Sequence, residues 1–128
     1  VRIGSSCSDV WSALTPLHHS LACSYYHWTD VAPEAVGLAF GLIAASRGKF
    51  QEAVLGAVNI GRDTDTIAAI CGSICGAAEG IGVIPERWVN RITVSRGICI
   101  KAVTGMNIIH IADELSKLSK EKNWSAAR

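Results

Sequence analysis

Three oxygen-bearing side chains, Asp63, Asp65 and Thr66, crowd the stretch Asn59-Ile60-Gly61-Arg62-Asp63-Thr64-Asp65-Thr66. Two carboxylates and a hydroxyl are hard ligands, suited to Mg²⁺, Mn²⁺ or Ca²⁺ rather than to zinc. Whether they can converge depends on where a helix begins. Inside a regular helix, residues two apart point to nearly opposite sides. Asp63 and Asp65 therefore meet only if Asp63 lies at or before the cap. Asp63 and Thr66 are three apart and share a face. The same residue types also serve as plain helix caps, satisfying free N–H groups and complementing the dipole. On spacing alone, cap and metal ligand are both open readings. A cation at the positive end of a helix dipole is disfavoured unless carboxylates offset it. Two carboxylates do not neutralise a pair of divalent ions, so a dinuclear site needs further acidic ligands from elsewhere in the protein or from substrate. Asp9, Asp30 and Asp113 stand apart from any comparable cluster.

The elements that must position these oxygens are helices. Asn59 and Gly61 are C-terminal stop residues for a preceding helix, since both types tolerate the left-handed conformation. Asp63 and Thr64 are N-cap types for a following helix over about 64–79. Gly72, Gly76 and Gly80 recur every four residues there, and glycine costs about 1 kcal/mol against alanine in a helix interior. That spacing predicts another helix backbone approaching closely and holding the mouth rigid. Upstream, Pro33 and Glu34 mark the start of a helix over about 33–46, with Ala35, Leu38, Ala39, Leu42 and Ile43 as its apolar stripe. A helix beginning at Phe50 or Gln51 turns Val54, Leu55 and Val58 inward. Residues 1–9 read as an exposed lead-in. Ser8 or Asp9 caps a short helix through Leu14, and Pro16 either interrupts it or opens a new helix capped by Thr15. Leu17, Leu21 and Tyr25 continue at helical spacing. His18, His19, Tyr25, Tyr26, His27 and Trp28 then form an aromatic and imidazole cluster, read chiefly as core packing and alternatively as an adenine or ribose pocket. Gly80–Ile84 is a turn, and Pro85 opens a short helix to about 94 with Trp88, Val89 and Ile92 on its inner face. Residues 95–106 are strand-like or irregular. A last helix covers about 107–121 with Ile108, Ile111, Leu115 and Leu118 in register, and residues 122–128 fray.

Asn59-Ile60-Gly61-Arg62-Asp63-Thr64-Asp65-Thr66-Ile67-Ala68-Ala69-Ile70, small residues to Gly80, and Ile84-Pro85-Glu86-Arg87-Trp88 together resemble the C-terminal part of the ADP-ribosylglycohydrolase family. Val31-Ala32-Pro33-Glu34-Ala35 and Phe50-Gln51-Glu52-Ala53-Val54 extend the resemblance, which covers about residues 31–93 with a weaker echo to 119. It implies an all-α fold, an orthogonal multi-helix bundle, of which this chain is the C-terminal part of a single larger domain. It also implies a dinuclear Mg²⁺ or Mn²⁺ centre whose C-terminal ligands fall on Asp63, Asp65 and Thr66. The implied reaction is hydrolysis of the N- or O-glycosidic bond joining ADP-ribose to a protein side chain or another acceptor. The substrate is then an ADP-ribosylated protein or an ADP-ribose-containing small molecule. Gly61 and Arg62 fall beside the substrate in that reading, with Arg62 meeting a phosphate or facing solvent. Arg62 stands where the family most often has glycine. The family's Thr-Asp-Asp triplet and its other acid/base carboxylate belong to its N-terminal part, and no such triplet occurs in this chain. No catalytic acid or base is therefore assigned here, and the missing part must act in cis or as a second chain. The alternative is a non-catalytic member of the same fold, crystallin-like or simply ADP-ribose-binding.

Composition agrees with a helical piece of something larger. Of 128 residues, 49% are hydrophobic and 18% charged, with a mean hydropathy of +0.29. This is apolar for a small domain and fits helices buried on more than one side. The chain starts at Val1 and its one methionine is Met106, which fits the C-terminal piece of a longer polypeptide. A net charge of +1 gives no electrostatic argument for nucleic acid. No apolar run reaches a membrane-spanning length, and the first residues lack a secretory signal's pattern. Five cysteines, Cys7, Cys23, Cys71, Cys75 and Cys99, form no CxxC pair and read as buried free thiols in a reducing, cytoplasmic setting.

Overall fold

The computed structural model describes residues 1–23 and 28–121, so Tyr25, Tyr26, His27 and residues 122–128 lie outside the described residues. The chain is all-α. The described helices are α1 (Arg2–Ser6), α2 (Val10–Leu21), α3 (Ala32–Ala45), α4 (Phe50–Asn59), α5 (Thr64–Glu79), α6 (Glu86–Ile92) and α7 (Ile108–Glu121). They divide into two compact units, Val1–Ile84 and Pro85–Arg128.

The first unit contains the buried core. Val10, Ala13 and Leu17 of α2, Leu38 and Leu42 of α3, Ala53 and Ala57 of α4, and Ile67 and Cys71 of α5 are all fully inaccessible. Asp9 starts α2 by accepting the Ser12 amide at 2.8 Å, while its own amide donates to Ser12 Oγ. This reciprocal box satisfies two orphan donors. The helix then runs through Pro16 without a break. Proline removes one intrahelical bond, here to the Ser12 carbonyl. Ser12 is exposed, so water can serve that carbonyl, while burial of Ala13 and Leu17 on either side holds the helix together. The lead-in is also ordered: Gly4 of α1 is buried, and a Cβ there would collide with the Gly41 carbonyl of α3.

Helices α4 and α5 form an antiparallel pair. The Phe50 amide at the start of α4 donates to Glu79 at the end of α5, at 3.1 Å. The inward face of α4 is Phe50, Ala53, Gly56 and Ala57, and not Val54, Leu55 and Val58 as the sequence implied; Val58 is exposed. Small residues win that face because α2 and α3 come close, with Val10 and Leu42 against Gly56. The glycines of α5 make no close backbone approach. A Cβ on Gly72 or Gly76 would stand 3.6 Å from the Val54 or Phe50 side chain, so the ridge accommodates an aromatic ring instead.

In the second unit, none of the described residues is buried. After α6, an isolated antiparallel bridge joins Val94 to Asn107. The Ser95 and Ile108 amides donate to the Met106 and Thr93 carbonyls, pinning the irregular segment before α7. Ile108, Ile111, Leu115 and Leu118 follow on one exposed stripe of α7. No helix among the described residues is long and apolar enough to cross a membrane.

Candidate metal centre at the entrance of helix α5

The loop between α4 and α5 is shaped by two successive left-handed residues. Gly61 has φ 86° and Arg62 φ 66°. Glycine takes this conformation freely, whereas an L side chain bears a cost of about 1–2 kcal/mol. Asp63 follows with φ −81° and ψ 67°, and the Thr64 amide donates back to the Arg62 carbonyl at 3.0 Å. Those values define an inverse γ-turn centred on Asp63. The first bond of α5 then forms from the Ile67 amide to the Asp63 carbonyl, also at 3.0 Å. Ile67 is wholly buried and anchors the first turn, while the half-buried Asp63 and the exposed Asp65 and Thr66 stay at the surface.

Asp63 occupies the N-cap position, yet its side chain accepts no capping hydrogen bond. Among the described residues, no hydrogen bond engages the side chains of Asp65 or Thr66 either. The γ-turn gives Asp63 a backbone conformation outside the extended one that an N-cap residue usually takes. Side-chain capping by Asp63 is thus not realised, while Asp65 lies in the first turn, where its charge complements the helix dipole. Two carboxylates and a hydroxyl are donors that fit a hard divalent ion. Among the described residues they gather no further acidic, imidazole or thiol side chain into a cluster of three or more.

Arg62 neither faces solvent nor stands free for a phosphate. Its Nε donates to Glu34 Oε1 at 2.5 Å and its Nη2 to Glu34 Oε2 at 3.0 Å, with a further bond to the Trp28 carbonyl at 3.1 Å. Glu34 lies in the first turn of α3, only 4% exposed, and also accepts the Cys23 amide. Hydrogen bonding from Arg62 holds the Glu34 carboxyl below its usual range against the opposing effect of burial, helped by the Cys23 amide and the charges of Arg62 and His18. Glu34 also raises the Arg62 pKa. Sequence reasoning missed this pair. A signal existed: Glu34 precedes Leu38 and Leu42 at intervals of four, which puts a carboxylate on the buried stripe, where a charge needs a partner.

Beside the same loop, a cavity of about 280 Å³ is lined by Leu14, Thr15, His18, His19, Asn59 and Ile60. Of the residues read as a possible nucleoside pocket, His18 and His19 therefore line a cavity of the first unit. The cysteines follow the expected burial only in part. Cys71 and Cys75 are buried, Cys7 and Cys23 half-buried, and Cys99 exposed, all as free thiols. Burial, with Cys75 adding to it, pushes the Cys71 thiol up to about 12; burial and then Glu79 raise that of Cys75.

An all-α chain with this helix entrance matches the ADP-ribosylglycohydrolase family over residues 5–124, and belongs to it. Among its relatives, an uncharacterized protein of Archaeoglobus fulgidus is 58% identical over 40 residues, 31% of this chain and 12% of that protein. ADP-ribosylarginine hydrolase Tri1 of Serratia proteamaculans is 31% identical over 75 residues, 59% of this chain and 18% of the hydrolase. Human ADP-ribosylhydrolase ARH3 is 37% identical over 46 residues, 36% of this chain and 13% of the human protein. The matches thus span less than a fifth of each relative's length. No solved structure matches the chain significantly.

Proposed function

We propose that this chain supplies one side of a dinuclear Mg²⁺ or Mn²⁺ centre in a hydrolase that cleaves the glycosidic bond between ADP-ribose and a protein side chain or other acceptor. The observation that carries it is the uncapped Asp63 carboxylate at the entrance of α5, in a chain of this family. Asp63, Asp65 and Thr66 are the residues that would hold the ions on this side. Gly61 has no side chain, which leaves room beside them for the ribose. Ions held there would supply charge stabilisation and an activated water beside the ribose. Because two carboxylates undercompensate two divalent ions, the remaining acidic ligands come from the family's N-terminal part, on the same polypeptide or a second chain. That part also brings the acid/base carboxylate. The relatives named as ADP-ribosylarginine hydrolase favour a modified arginine as acceptor.

The test is hydrolysis of an ADP-ribosylated arginine peptide by the full-length protein. Asp65→Ala is expected to lose activity by at least about 100-fold, the scale of removing charge stabilisation from a reacting centre, while its circular dichroism stays that of the wild type. Normal turnover in Asp65→Ala would remove the metal assignment.

A further inference from the structure

We infer that Glu34 is a positioning residue for Asp63, acting through Arg62, and this rests on the metal reading above. A left-handed, non-glycine residue persists only where its surroundings over-determine it. Arg62, at φ 66°, is fixed at its far end by three hydrogen bonds, two to Glu34 and one to the Trp28 carbonyl. Glu34 is itself immobilised by burial and by the Cys23 amide. The fork of a guanidinium on a carboxylate is directional as well as strong. It therefore acts as a strut from the first turn of α3 to the residue immediately before Asp63. With Arg62 held, its carbonyl receives the Thr64 amide, the γ-turn closes on Asp63, and the Asp63 carboxylate is kept off the helix amides. Without the strut, Arg62 is free to leave the left-handed region. Asp63 then relaxes into an ordinary cap, which removes it as a ligand.

The strut exists because the residue before Asp63 is an arginine. A glycine there needs no brace, since it takes a positive φ unaided. Loss of Glu34 should therefore be compensated by Arg62→Gly. This compensation separates a positioning role from a general contribution to stability.

The experiment compares the full-length protein with Glu34→Gln, Arg62→Gly and the double variant, in Mn²⁺ titrations and in amide hydrogen exchange at Arg62–Thr64 without metal. Glu34→Gln is expected to weaken Mn²⁺ binding by about 10–100-fold, the usual effect of removing a group that orients a ligand. It is also expected to speed exchange of the Thr64 amide at least about tenfold, while exchange in α7 is unchanged. The double variant is expected to recover both. Thr64 exchange unchanged in Glu34→Gln would overturn the inference, whatever the metal result. So would a double variant as impaired as Glu34→Gln in both readouts. A wild type that takes up no Mn²⁺ would overturn the metal reading instead, and the exchange result would still decide on the strut.

Discussion

Asp63 begins a helix without capping it, and that single side chain separates a site from a fold. Its neighbours in sequence announced the position: the order of glycine, aspartate, threonine and aspartate before an apolar run predicts both a loop and a helix start at 64, and α5 begins there. What the sequence left open was whether the oxygens bond to the backbone. That choice turns on the φ of Arg62, which depends on a carboxylate 28 positions earlier. Local pattern carries no such information, since the strut is a tertiary contact. The pair also has a pH signature. The folded pKa of Glu34 lies below its ordinary value of 4.5, so its stabilisation is complete above that value and is lost as pH falls through the folded pKa. The Tm of the wild type should therefore drop more steeply than that of Glu34→Gln as pH falls below the ordinary carboxyl value of 4.5, as read by thermal melts; parallel slopes would contradict it. The thiols make a second residue-scale prediction. Cys99 is exposed, whereas Cys71 is buried with its pKa near 12. A thiol must ionise to react, so iodoacetamide at pH 8 should label Cys99 first and leave Cys71 and Cys75 unlabelled until the chain is denatured, as peptide mass mapping would show.

At the scale of elements, helix positions were readable because apolar spacing and stop residues agree. Expected ranges of 33–46, 64–79 and 107–121 correspond to Ala32–Ala45, Thr64–Glu79 and Ile108–Glu121. Faces and contacts were less readable. In α4 the larger residues drew the prediction, but closeness to α2 and α3 gave the inner face to alanine and glycine. Pro16 pointed to a break, and the packing of Leu17 overrode it. The glycines were misread in a testable way. Gly4, which nothing marked, sits against the Gly41 carbonyl, while Gly72 has ordinary van der Waals room. Gly4→Ala should therefore destabilise the protein by about 1–3 kcal/mol through overpacking. Gly72→Ala should stabilise it by up to about 1 kcal/mol through helix propensity. Urea denaturation of both variants checks the opposite signs.

For the whole molecule, the high apolar content divides unevenly. The first unit turns it into a core of fully buried Leu17, Leu38, Leu42, Ile67 and Cys71, whereas described apolar residues of the second unit, Ile98 and Leu115 among them, remain exposed. Amide exchange should reflect this, with the slowest protons in α3, α4 and α5 and fast exchange along α7. Uniform protection across both units would contradict it. The first unit's core supports the entrance of α5 through Ile67, one residue beyond Thr66, so the candidate ligands rest on its best-packed part. The most direct measurement is the anomalous difference map of crystals of the full-length protein soaked in manganese. Two peaks about 3.5–4 Å apart, one with the oxygens of Asp63, Asp65 and Thr66 at about 2.1 Å, the bond length of a small hard divalent ion, is the predicted result. A map without manganese at that entrance, with the Asp63 carboxylate swung onto the amides of α5, would contradict it.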